Sequence, residues 1–198
     1  MPHPIIKISP GNSKLGTAIP NVSMAPGRDC GNCKHCLKSC YALKAYRQYP
    51  ATKAAWNHNG DAFRDDPAAS AQFVSDWIAR KRTAPKFFRI HVSGDFLGQE
   101  HVDAWVQVAS EHPATKFLAF TKMGHLDFSA APSNLAVIYS QWPGMPLNGP
   151  ADAPKAWMQD GTETRMPADA INCPGNCETC GMCWALPELG RDVYFDQH

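Results

Sequence analysis

The sequence contains no long hydrophobic run. No apolar stretch approaches the roughly 20 residues of a membrane span, and the opening Met1-Pro2-His3-Pro4-Ile5-Ile6-Lys7 lacks the apolar core of a secretory signal. These absences predict a cytoplasmic protein, in a compartment where thiols stay reduced and clustered cysteines serve more often as metal ligands than as disulfides. Excess charge is lacking too. The chain has 19 Lys and Arg against 18 Asp and Glu, a net +1, so no field marks a nucleic-acid or membrane partner. There is no glycine-rich phosphate loop, no local Ser-His-Asp pattern, no low-complexity tract and no convincing internal repeat. What the chain does have is 17 prolines, 14 glycines and eight cysteines. The prolines and glycines predict long, shaped loops around a modest set of regular elements.

At 198 residues the chain suits a single domain, 1–198, able to bury its own core. Three segments divide it: a loop-rich stretch, 1–42, that ends in the first cysteine group; a βα core, 43–142; and a tail of loop composition, 143–198, that carries the second group. Tyr41 to Trp56 reads as a helix broken at Pro50, and Asn57-His58-Asn59-Gly60 reads as a turn. Asp66-Pro67 supplies an N-cap and a first-turn proline ahead of Phe73, Val74, Trp77 and Ile78 at helical spacing. Lys86–Val92 reads as a strand ending at Ser93-Gly94-Asp95-Phe96. Val102, Trp105, Val106 and Ala109 mark a second amphipathic helix, and Lys116–Phe120 and Leu135–Tyr139 two more strands. Strand, helix, strand at this spacing predicts an α/β fold of parallel βα units, resembling a partial (β/α) barrel, with both cysteine groups at the loop-rich end.

The cysteines fall into two groups of four. Cys30, Cys33, Cys36 and Cys40 have the spacing C-x2-C-x2-C-x3-C, and Cys173, Cys177, Cys180 and Cys183 nearly mirror it as C-x3-C-x2-C-x2-C. Cysteines every third residue in a short loop can point thiolates at the corners of a cubane, and the first spacing is that of bacterial two-cluster ferredoxins. The ferredoxin proline is displaced: Tyr41 follows Cys40, and the proline stands after Cys173 instead. Zinc is the competing metal; four-cysteine zinc sites come as two C-x2-C knuckles separated by a longer loop, a layout neither group has alone. The expected cofactor is therefore one or two [4Fe–4S] clusters, with all eight cysteines as ligands and zinc as the alternative. The second group also contains the C-x3-C-x2-C triplet of radical S-adenosylmethionine enzymes, but Cys183 stands ready to close the corner that such enzymes leave open.

Several separate blocks carry a resemblance over most of the chain: Ala25-Pro26-Gly27 with the Cys30–Cys40 loop, Cys40-Tyr41-Ala42, His91-Val92-Ser93-Gly94-Asp95-Phe96, Phe120-Thr121-Lys122, Pro132-Ser133-Asn134-Leu135, Cys173-Pro174, Cys180-x2-Cys183-Trp184 and His198. With these the sequence resembles the tailed-phage family known as gene product eighty-eight. The family name carries almost no function. The resemblance implies that the position of Cys33 need not be cysteine, which leaves Cys30, Cys36 and Cys40 as the surest ligands of the first group, and it implies the cytoplasm of a host cell. Cys40-Tyr41-Ala42 and the βα units after it also resemble a second phage-associated family of radical-SAM character. That likeness implies an open cluster corner and S-adenosylmethionine as a further cofactor.

In βα folds, residues at the carboxyl ends of strands form the site. Ser93, Asp95 and Lys122 are on that ground the expected cofactor-binding residues, with Thr121 and Ser140 at neighbouring strand ends. Each has a plainer role open to it: Asp95 as a cap for the helix beginning near Gln99, Lys122 as a solvated lysine. His91, inside a strand, reads as a core histidine. Trp184 reads as a shield over a metal site or as ordinary packing. No catalytic residue is assigned. The expected function is redox chemistry or electron transfer with a separate redox partner. A radical-SAM-like enzyme and a zinc-stabilised binding module are the rivals.

Overall fold

The computed structural model describes residues 4–12 and 14–196; Met1 to His3 and His198 lie outside them. Seven strands form one all-parallel sheet in the order β1-β2-β3-β4-β5-β7-β6: β1 Asn21–Val22, β2 Phe87–Ile90, β3 Lys116–Thr121, β4 Leu135–Gln141, β5 Lys155–Gln159, β6 Ile171–Asn172 and β7 Val193–Asp196. The sheet is open, with β1 and β6 at its edges. This is the expected α/β fold, its strands adding in sequence order as in part of a βα barrel. The chain departs from that order once, where it passes to β6 at the edge and returns to insert β7 beside β5.

Alternation along the three central strands separates two cores. Phe88, Ile90, Phe117, Ala119 and Leu135 face the helices, packing with Phe63, Val74, Ile78 and Trp105. Leu118, Ala136 and Ile138 face the other way, against Leu15, Ile19, Trp184 and Leu186. Because both faces are covered, these strands read as nearly continuous apolar runs.

The helical face is built by α1 Tyr41–Gln48, α2 Pro50–Asp65, α3 Pro67–Ala79 and α4 Gln99–Glu111. The break expected at Pro50 is there, with Pro50 opening α2. Asp66 caps α3 as expected, its carboxylate accepting from the Ala69 N–H at 2.9 Å. The turn expected at Asn57-His58-Asn59-Gly60 is instead the third turn of α2. Tertiary contacts override the local preference: the fully buried Asn59 amide donates to Lys7 O and Ser23 O and accepts from Lys7 N. Gly60 is there because Asp29 lies against it, so that a Cβ at this position would stand 2.0 Å from Asp29 Oδ2.

His91 is a core histidine, 3% exposed, with φ at 51° and no hydrogen bond to either ring nitrogen. It stands edge-on to His101, whose ring nitrogens face the Leu97 N–H and the Trp105 Nε1–H at 3.2 Å each. Burial pushes the His101 pKa down to about 3 and lowers that of His91.

The tail, expected to be loop, contributes β5, β6 and β7. The crossover from β6 back to β7 is the cysteine segment, with the short helices α5 Cys177–Cys180 and α6 Leu186–Leu189 flanking a 3-10 turn at Met182–Trp184.

Candidate metal centres

All eight cysteines are free of disulfides. The first group follows β1, at the carboxyl ends of the strands. Its loop is pinned from below by Asp29, which is fully buried. The Asp29 carboxylate accepts from the Ala25 N–H and pairs with Arg28 and Arg64, and its backbone oxygen accepts from the Asp95 N–H. Gly27, with φ at +81°, turns its peptide groups toward the thiols. Its N–H donates to Cys30 Sγ at 3.3 Å, and its carbonyl lies 3.9 Å from Cys33 Sγ. Gly31, with φ at +54°, lets the loop cross directly over Met123, where a Cβ would be 2.5 Å from the sulfur. Burial pushes the Cys30 thiol up to about 11 and raises that of Cys36.

Lys122 does not take the plainer role of a solvated lysine. It emerges from the end of β3 beneath Cys30 and Cys36, and those thiols, together with Asp95, hold its pKa above the ordinary lysine value despite burial. Asp95 does not cap α4, whose N-cap is Gly98. Its carboxylate accepts from the Phe96 N–H, the Thr121 hydroxyl and the Lys122 N–H at 2.7–2.8 Å, so it ties the loop after β2 to the end of β3. Burial raises the Asp95 pKa against the pull of Lys122 and these bonds. Ser93 is buried beside it, its hydroxyl without a partner and its carbonyl accepting from the Met24 N–H. Of the three expected cofactor-binding residues, Lys122 and Asp95 both act electrostatically on the first cysteine group, and Ser93 does not enter it.

The second group leaves the strand ends and runs down the face of the sheet. Cys173, Cys177 and Cys183 pack on the second core beside Phe87 and Phe120. All four cysteines line one small cavity, with Ile171, Trp184, Leu186 and Val193 around it. Trp184 closes it from below, its ring tilted 40° against that of Phe87 with centroids 4.6 Å apart and its indole N–H unpartnered. Burial pushes the Cys183 thiol up to about 12, against the pull of Arg89. Arg89 projects from β2 over the Phe120 ring, 4.0 Å from its centroid, within electrostatic reach of Cys177, Cys183 and Tyr41. Tyr41, next to Cys40, donates its hydroxyl to the Val92 carbonyl. Arg89 and Tyr41 thus link the two groups. Arg89, Asp29 and Phe87 were missed in the sequence, although an arginine amid the apolar run of β2 was a signal.

Within each group the four thiols influence one another electrostatically. Among the described residues, no three His, Cys, Asp or Glu side chains are grouped so as to hold one metal ion. A tetrahedral zinc with bonds of about 2.3 Å would draw its sulfurs to about 3.8 Å from one another. A cubane takes one thiolate at each of four separate irons and accepts wider spacing.

A family model described as Gene product 88 matches residues 6–143. The chain belongs to the gene product 88 family. A relative named Gene 88 protein from Mycobacterium phage L5 is 31% identical over 179 residues, covering 75% of this chain and 74% of its own length. Its namesake from Mycobacterium phage D29 is 30% identical over the same shares. No solved structure matches. The residues that the gene product 88 model matches include the first cysteine group, Asp95 and Lys122, and end before the second group. No helix among the described residues is long and apolar enough to cross a membrane.

Proposed function

We propose that this gene product 88 protein is an iron–sulfur protein of the phage type, holding one or two [4Fe–4S] clusters and serving electron transfer with a separate redox partner in the host cytoplasm. The observation that carries this reading is the second group: four unpaired thiols around one cavity on an aromatic floor. A [4Fe–4S] cluster bound there would accept and release an electron at a potential set by burial and by hydrogen bonds to sulfur. The residues around the groups supply those settings. Trp184 and Phe87 keep water from the second group, Arg89 balances its thiolate charge, and the Gly27 N–H and Lys122 do the same work at the first. Thiols whose pKa burial has raised are protonated before loading, so metal uptake releases protons.

A second reading, a radical-SAM-like enzyme, is favoured by the first group alone. Its loop borders a cleft through Asn32 and His35, and a ligand set of Cys30, Cys36 and Cys40 leaves one iron corner free for S-adenosylmethionine. The zinc-stabilised module remains the rival that metal analysis decides.

The test is anaerobic purification followed by iron, sulfide and zinc analysis. Iron with matching sulfide, in a brown protein that dithionite bleaches, is the expected result. A colourless protein with stoichiometric zinc overturns it. Cys183→Ala is expected to strip the iron of the second group, whereas Cys33→Ala leaves that of the first in place. Formation of 5′-deoxyadenosine on reduction with S-adenosylmethionine would move the assignment to the enzyme reading.

A further inference from the structure

The loop that carries the first cysteine group forms one wall of a cleft whose lining contains no thiol. One wall is the cysteine loop, at Asn32 and His35; the other is made by the loops after β3 and β4, with Lys122 and the buried Met145 deeper in and Leu147 at the rim. It encloses about 740 Å3, part of it open to solvent.

The wall opposite the cysteine loop is rigidly built. The Asn148 side chain accepts from the Gly124 N–H and donates to Thr121 O and Ser140 O, locking the two strand-end loops together. Gln141 completes the lock, accepting from the Asn148 N–H and donating to Pro146 O. Gly124 is required at the seam, since a Cβ there would lie 2.3 Å from Asn148 Oδ1. A buried amide engaged this fully holds its loop in one shape.

The lining is charged in one sense only. Lys122 brings a cation, His35 and His125 bring imidazoles, and no carboxylate side chain lines the cleft. Leu147 is 64% exposed at the rim, an uncovered apolar side chain beside a polar base.

We propose that this cleft binds a small amphipathic anion, with a carboxylate or phosphate head at Lys122 and an apolar body along Met145 and Leu147. The head would then lie beside Cys30 and Cys36, within reach of whatever metal they hold. The inference goes beyond the iron–sulfur reading and does not depend on it, because the lining is the same whether the thiols carry iron or zinc.

The test is calorimetric titration of the purified, metal-loaded protein with benzoate, phenyl phosphate and benzylamine, with metal content measured on every sample. Saturable binding of at least one of the two anions is expected, and the preferred anion identifies the head group. Benzylamine should bind about tenfold more weakly or not at all. Lys122→Gln should weaken the anion about tenfold. Because that change also touches the cysteine group, Leu147→Ser and His125→Ala serve as independent variants on the far rim, each expected to weaken the anion about threefold with metal content unchanged. Benzylamine binding as well as the anions, absence of saturable binding by both anions, or affinity unmoved by all three substitutions overturns the proposal. Zinc in place of iron and sulfide in the wild type would sink the iron–sulfur reading while leaving these titrations interpretable.

Discussion

Around Cys30 to Cys40 the supporting side chains are charged: Asp29 between Arg28 and Arg64, and Lys122 beneath the thiols. Around Cys173 to Cys183 they are aromatic and aliphatic: Trp184, Phe87, Phe120 and Leu186, with the cations Arg89 and Lys14 reaching in from outside the segment. The first group borders an open cleft at the strand ends, and the second lies against the sheet as part of the core. Two nearly mirrored spacings in sequence thus meet opposite surroundings. The contrast separates what holds each in place: an ion-paired scaffold in one case, apolar burial in the other.

The largest test of that contrast is Trp184→Ala. Removing a 4%-exposed indole from the floor of the second group should cost about 3–5 kcal/mol, read as the shift in urea midpoint. Leu37→Ala in the first group, 41% exposed, should stay within about 0.5 kcal/mol. Equal losses would break the comparison.

Acid comes next. His101 keeps its neutral form down to about pH 3 in the folded chain, while an unfolded histidine protonates near 6.5. As pH falls through that window the unfolded state takes up the proton that the folded state refuses, and stability drops by about 3 kcal/mol by pH 4. The imidazolium would also accept from neither Leu97 nor Trp105. Both buried histidines sit on the helical face, so hydrogen exchange should open that face before the tail, and His101→Phe should flatten the dependence. A tail that opens first would point to the second group as the weaker ground.

The smallest effect, and the sharpest in sign, concerns two glycines. An exposed helical Gly→Ala exchange ordinarily stabilises by about 1 kcal/mol. Gly60→Ala should instead destabilise by about 1–3 kcal/mol, because its methyl meets Asp29 and Arg28, and it should lower metal retention in the first group selectively. Gly175→Ala in the tail meets no atom within 4 Å, so only the strain of its φ of +82° remains, about 1 kcal/mol. Chemical denaturation with metal analysis of both variants reads the difference.

The fold was legible where burial leaves a local trace. β2, β3 and β4 are covered on both faces and show it as apolar runs; α3 and α4 show one apolar face and, in α3, a capping aspartate. β1 and β6 are two residues each, too short for any period to register. β5 opens on Lys155, which looks like a surface residue until its ammonium is found donating to the carbonyls of Pro150 and Ala153. The eight cysteines announced themselves by spacing. Their surroundings did not, because Asp29, Arg89 and Asn148 acquire their roles only when distant strands bring them together. Asn57 to Gly60 misled for the same reason: turn-forming residues serve there as the docking face of a helix.

The insertion of β7 between β5 and β6 carries a consequence for shortened chains. A chain stopping before Val193 would leave β5 with a bare parallel edge and β6 with no neighbour at all. Both ends of the second cysteine segment would then be untethered, its apolar side chains would turn outward, and the exposed edge would invite strand pairing between molecules. Insoluble material, rather than a smaller folded protein, is what such a truncation should yield.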